Sequence, residues 1–162
     1  MKSKRINIKR PEILFASCMG LGFIPKLPGT IASLAILPCL YLLGIINFPV
    51  FFLFPLLLLL VIPSCFVVEH IQNTYKIHDP SWIVIDEIFG MTIAWFFVQS
   101  PHWTHLIVIF FLFRFFDIYK LWPASFFDKC ITHGAGTILD DIISGIQAGI
   151  CYFIGLKILI AW

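Results

Sequence analysis

Apolar residues run through this chain in stretches at about residues 31–47, 50–68, 83–98, 104–119 and 138–160. Polar and helix-breaking residues part them: Asn47-Phe48-Pro49, then residues 70–80, then Gln99-Ser100-Pro101, then residues 121–136. From residue 27 to residue 68 there is no Asp, Glu, Lys, Arg or His. A transmembrane helix needs ~20 apolar residues, so that run predicts two spans with Asn47-Phe48-Pro49 as the turn. The third and fourth stretches are short for spans at ~1.5 Å rise per residue. They predict tilted, membrane-thinning or partly interfacial helices. Residues 13–24 (ILFASCMGLGFI) are apolar but too short to cross comfortably, and predict an interfacial or re-entrant segment. If they crossed, the threading below would invert. The expected fold class is all-α, a polytopic helical membrane protein with about four to five membrane-associated helices. Residues 1–12 form a basic tail and residues 13–162 one helical membrane domain.

Composition supports this division. The chain has 162 residues, of which 60% are hydrophobic and 12% charged, against ~25% charged in soluble domains. Net charge is +2, but Lys2, Lys4, Arg5, Lys9 and Arg10 crowd the tail against Glu12. Such a cluster can bind nucleic acid. Beside so much apolar sequence it reads instead as a cytoplasmic topology anchor that can touch anionic lipid. It is no secretory signal, because Pro11-Glu12 precedes the apolar stretch and no small-residue cleavage site follows. Cys18, Cys39, Cys65, Cys130 and Cys151 are odd in number and lack CxxC spacing, which argues against a disulfide framework.

The few charged residues outside the tail are grouped. Asp86-Glu87 and Asp140-Asp141 are doubled acids in apolar sequence, and Arg114, Asp117 and Lys120 stand between them. With a cytoplasmic N-terminus, the first span leads out and the second returns. The third begins near Asp86-Glu87, the fourth brings Arg114 to Lys120 back inside, and the fifth starts at Asp140-Asp141. All three clusters then fall on one membrane face, as does the loop Lys26-Leu27-Pro28-Gly29-Thr30. Every Lys and Arg except Lys157 is inside or at an inner helix end, as positive-inside bias requires.

An isolated charge in hydrocarbon costs at least ~2.5–3.5 kcal/mol on insertion scales, so the grouping calls for a shared role. Adjacent acids on a helix point ~100° apart, so one pair can be a helix-start charge complementing the macrodipole. Two pairs on neighbouring helix ends can surround a hard cation. Mg²⁺ takes carboxylate, water and phosphate oxygens, whereas no Cys/His array suits zinc. Asp86, Glu87, Asp140 and Asp141 are therefore the candidate metal ligands. Gly90 and Gly145 share a helix face with an acid of each pair and permit close helix approach.

Arg114 and Lys120 are candidate phosphate binders, and Asp117 can orient Arg114 or join the metal shell. The same spacing also suits snorkelling cations with one salt bridge. In PGTIAS (28–33) Thr30 is a candidate N-cap whose helix amides attract phosphate. His78-Asp79-Pro80 reads as a turn. His70, His102, His105 and His133 have no ligand spacing. CxxxxxR, DxDxT, Walker, GxSxG and HExxH motifs do not occur.

Taken in order, PGTIAS at 28–33, DPSWIVIDEIFG at 79–90, FRFFDIYKLWP at 113–123, FD at 127–128 and DDIISG at 140–145 resemble the phosphatidylglycerophosphatase A family across about residues 20–150. Ala32 stands where Gly is usual, Leu121 where Pro follows the Lys, and Ser144 where Ala is usual. None of these removes a charged group. The resemblance implies a Mg²⁺-dependent hydrolase of the bacterial cytoplasmic (inner) membrane. It would remove the terminal phosphate of phosphatidylglycerophosphate, giving phosphatidylglycerol and inorganic phosphate, from a site facing the cytoplasm.

The combined expectation is a catalytic group of Asp86, Glu87, Asp140, Asp141 and Asp117, with Arg114, Lys120 and Thr30 on the phosphate. The partners expected are a phospholipid substrate and the bilayer, not nucleic acid. The rivals are a phosphatase for another membrane lipid phosphate, a structural membrane protein, and a small cation or proton transporter. The transporter reading predicts acids along a path reaching both membrane faces.

Overall fold

A computed structural model describes residues 6–77, 79–131 and 133–161. Lys2, Lys4 and Arg5 of the basic tail, and His78, lie outside the described residues. The helices are α1 (Pro11–Ala16), α2 (Pro28–Ile45), α3 (Val50–Tyr75), α4 (Ile85–Trp95), α5 (Trp103–Tyr119), α6 (Ala124–Cys130) and α7 (Gly134–Ala161), with a 3-10 turn at Leu21–Phe23. No strand occurs among the described residues. The fold is all-α, as expected.

Three helices, Pro28–Ile45, Val50–Tyr75 and Gly134–Ile160, are long and apolar enough to cross a membrane. Much of their outward surface is apolar: Phe51, Phe52, Leu58, Leu59, Ile62 and Phe66 on α3, and Ile154, Ile158, Leu159 and Ile160 on α7, are all exposed. A face of this size is unsuited to water and suited to lipid.

The short third stretch has a different place. α4 has 11 residues, a length of ~16 Å, about half a bilayer core. Nine of those residues, from Ile85 to Trp95, are buried. α4 is the enclosed centre of the bundle. Ile85, Phe89 and Ile93 pack with Val61, Val68 and Ile71 of α3. Met91, Ala94 and Trp95 pack with Leu37 and Leu40 of α2, Ile109 and Phe113 of α5, and Ala148 of α7.

Residues 13–24 do not cross. α1 has only 6 residues, with Ile13 and Ala16 fully buried. The chain then bends through Cys18, Met19 and Gly20, all at positive φ. The Val84 N–H donates to the Ala16 carbonyl at 2.9 Å. The segment is a cap laid over the loop before α4, with no helix of a length to cross a membrane.

Other boundaries move for local reasons. α3 runs seven residues past the apolar stretch to Tyr75, because Glu69 and Gln72 extend a helix beyond lipid as readily as Leu does within it. It stops where Lys76 turns left-handed. α7 begins four residues early, at Gly134. A helix, α6, forms within residues 121–136, too short to show an apolar period.

The bundle has two poles. At one, α2, α4 and α7 begin while α3 and α5 end. Gln72 of α3 donates to Thr137 of α7 there at 3.0 Å. At the other, Tyr41 stacks on Trp103 and the Tyr152 hydroxyl lies 2.7 Å from His105 Nδ1.

Candidate active site

The grouped charges converge at the first pole. The first turn of α4, the last turns of α5 and the second turn of α7 enclose a cavity of about 260 Å³. Asp79, Asp86, Glu87, Asp117, Asp140 and Asp141 line it, with Arg114 and Lys120. Six carboxylates thus face two cations.

The approach of α4 to α7 makes this convergence possible. A Cβ at Gly90 would lie 2.6 Å from the Asp141 carbonyl oxygen and 2.6 Å from the Phe113 ring. One at Gly145 would meet the Gly90 carbonyl. The two glycines let the backbones touch, and the acids one turn away are drawn together. Oxygens of Asp86, Glu87 and Asp141 lie within 4.8 Å of one another. Asp86 and Asp141 are each 5% exposed. Glu87 Oε2 is buried and has no hydrogen-bond partner among the described residues.

The cations are committed elsewhere. Arg114 Nη1 is 2.6 Å from Asp117 Oδ2, and its buried Nε has no hydrogen-bond partner among the described residues. Lys120 Nζ lies 2.6 Å from Asp128 Oδ1 and 2.5 Å from Asp140 Oδ2. Burial opposes the Lys120 ammonium, but the hydrogen bonds to Asp128 and Asp140 outweigh it and hold its pKa above the ordinary lysine value. Lys120 is left-handed, and Trp122-Pro123 after it is a cis peptide.

The sequence-predicted set therefore divides. Asp86, Glu87 and Asp141 form a trio, Asp140 pairs with Lys120, and Asp117 holds Arg114. The trio has no cationic partner among the described ion pairs, and Glu87 Oε2 is a buried acceptor without a hydrogen bond among the described residues. Three carboxylates and no thiolate or imidazole suit a hard divalent cation. The donor set fits Mg²⁺.

Thr30 is not an N-cap. Leu27 occupies the cap of α2, without a side-chain bond, and Pro28 opens the helix. Thr30 sits inside the first turn and does not line the cavity. The residue of this loop that meets the site is Gly29: a Cβ there would run into Glu87 Oε1. Ser33 closes the turn by donating to the Gly29 carbonyl at 2.8 Å.

Sequence reasoning passed over Asp79, taken as a turn residue, and gave Asp128 no role. A lone acid in SFFDKC was the available signal for the latter. Burial, with the nearby Glu87 charge, pushes the Cys18 thiol up to about 12. His102 and His105 stand at the far pole. A second hollow at that end is lined by Asn47, Trp95, Gln99 and Ser100 among others, with no Asp or Glu among the described lining residues. Among the described residues, the acids that line a cavity are gathered at the first pole.

The family model for phosphatidylglycerophosphatase A matches residues 14–156. A phosphatidylglycerophosphatase A of Escherichia coli (strain K12) is 35% identical over 155 residues, covering 93% of this chain and 87% of that protein. One of Haemophilus influenzae (strain ATCC 51907 / DSM 11121 / KW20 / Rd) is 34% identical over 151 residues, covering 93% and 91%. No solved structure matches. On this extent of likeness, the chain belongs to the phosphatidylglycerophosphatase A family.

Proposed function

We propose that this protein hydrolyses the terminal phosphate monoester of phosphatidylglycerophosphate with Mg²⁺, at the cytoplasmic face of the bacterial inner membrane. In the overall reaction phosphorus gains the oxygen of water, its bond to the glycerol oxygen breaks, and a proton of that water ends on the glycerol oxygen, giving phosphatidylglycerol and inorganic phosphate. The observation that carries the reading is the charge imbalance in the cavity. Six acidic side chains against two cations repel a phosphate dianion, and a divalent cation held among them removes that repulsion.

Asp86, Glu87 and Asp141 would hold that cation. When bound, Mg²⁺ supplies Lewis-acid polarisation of the phosphoryl group and offsets its charge. Arg114, held by Asp117, offers its unpaired Nε to a phosphate oxygen. Lys120 supplies a point charge whose position is set from two sides, by Asp128 on α6 and Asp140 on α7. Both cations would offset the charge on the phosphoryl oxygens during transfer. Thr30 falls outside this arrangement.

The test is phosphate release in liposomes carrying phosphatidylglycerophosphate, phosphatidic acid or a polyprenyl diphosphate, with Mg²⁺ or with chelator. Release from the first lipid alone, stopped by chelator and restored by Mg²⁺, is expected. No release from any lipid would end the enzyme reading, and undiminished release in chelator would end the metal assignment.

A further inference from the structure

Between α5 and α7 a groove of about 390 Å³, lined by Phe116, Gln147, Ile150, Cys151 and Ile154, opens sideways. We propose that it receives an acyl chain of the lipid whose phosphate the cavity takes, a reading that rests on the function proposed above.

Three observations carry it. First, groove and cavity are built on the same two helices, α5 and α7. Phe116 precedes Asp117 on α5. On α7, Asp140, Ser144, Gln147, Cys151 and Ile154 recur at three- and four-residue intervals, which keeps them on one helix face. Second, that face changes from polar to apolar in the order of an amphiphile. Asp140 is in the cavity. Ser144 is 1% exposed, and its hydroxyl has no hydrogen-bond partner among the described residues. Gln147 gives its Nε2 to the Trp122 carbonyl at 3.0 Å, leaving a buried Oε1 without a partner. Cys151 and Ile154 follow. Unpaired polar atoms thus stand between the phosphate site and the apolar groove, at the level of a lipid's glycerol and ester groups. Third, the depth agrees. Asp140 to Ile154 spans ~21 Å of helix, and half of a ~40–45 Å bilayer separates the headgroup level from the midplane.

The experiment uses the full chain in mixed micelles with dipalmitoyl and dihexanoyl phosphatidylglycerophosphate. Wild type is expected to prefer the long chains, and Cys151→Trp, which fills the groove, to reduce that preference by about tenfold in kcat/KM. Phe51→Trp, on the exposed face of α3, should keep the wild-type preference. An unchanged preference in Cys151→Trp, or equal rates for both lipids in wild type, would overturn the groove and leave the proposed function standing. Absence of phosphate release by wild type would overturn both.

Should Cys151→Trp fail to fold, wild type can be photolabelled with a lipid carrying a diazirine at mid-chain. Adducts on Phe116, Ile150, Cys151 or Ile154 are expected. Adducts confined to α3, or a Cys151–Cys151 disulfide between two copies that blocks labelling, would overturn the proposal.

Discussion

Gly145 lies against the Gly90 carbonyl so closely that a Cβ at Gly145 would collide with it. This contact, one turn from each acidic pair, sets the separation of α4 and α7 and with it the spacing of the carboxylates. Gly145→Ala must push the helices apart. Overpacking of this kind costs ~1–3 kcal/mol. The expected outcome is a lower unfolding midpoint in detergent with a more than proportionate loss of phosphate release. Gly155→Ala, where nothing lies within 4 Å of the added Cβ, should leave both intact.

Asp86→Asn and Asp141→Asn remove charge from the trio while preserving volume. Disturbing groups that merely support a metal ligand costs ~10–100-fold, so loss of a ligand should cost at least that in phosphate release. Full activity in either variant would remove its residue from the metal set.

Cation binding should also be visible without turnover. A ligand at a hundred times its Kd stabilises the native state by ~2.7 kcal/mol. Mg²⁺ should raise the unfolding midpoint of the wild-type chain, and should do so much less in Asp141→Asn. Equal shifts in the two proteins would place the cation elsewhere.

The tether at Lys120 has a defined pH dependence. Its pKa in the folded chain lies above the ordinary 10.5 because Asp128 and Asp140 hold the proton against the cost of burial. The folded state therefore binds the proton more tightly than the unfolded one. The contribution to stability is complete below 10.5 and fades as pH rises through the higher folded-state value. Lys120→Met should be less stable than wild type by less than the ~3–5 kcal/mol of a fully buried pair, since the Lys120 side chain is 29% exposed. The gap should stay constant from neutral pH to about pH 10 and close only above that. Thermal unfolding across that range reads it directly; a gap that closes near neutrality would assign the stabilisation to another group.

Much of this site was legible before any coordinates. Doubled acids in apolar sequence have few places to go, and span counting puts them all at one pole. Gly90 and Gly145 announced a close crossing by their spacing from Glu87 and Asp141. What spacing cannot show is which opposite charge arrives first. Asp140 and Asp141 are neighbours in sequence, yet the ~100° turn between them delivers one to Lys120 and the other to the trio. Asp128 reaches Lys120 from α6, a helix of 7 residues with no period to read. Thr30 was misplaced because proline at the first helical position starts α2 without a side-chain cap.

The difference between α4 and α7 has a mechanical consequence. α7, with 28 residues, presents a long apolar face to lipid, whereas α4 has no exposed residue at all. Asp141 thus rides on an element that feels bilayer thickness, and Asp86 and Glu87 on one sheltered from it. Hydrophobic mismatch costs fractions of a kcal/mol per Å and is relieved by tilt, so a thicker or thinner membrane loads α7 and not α4. That load meets the trio at the Gly90–Gly145 joint, which makes the thickness of the host membrane a mechanical input to the spacing of the three carboxylates.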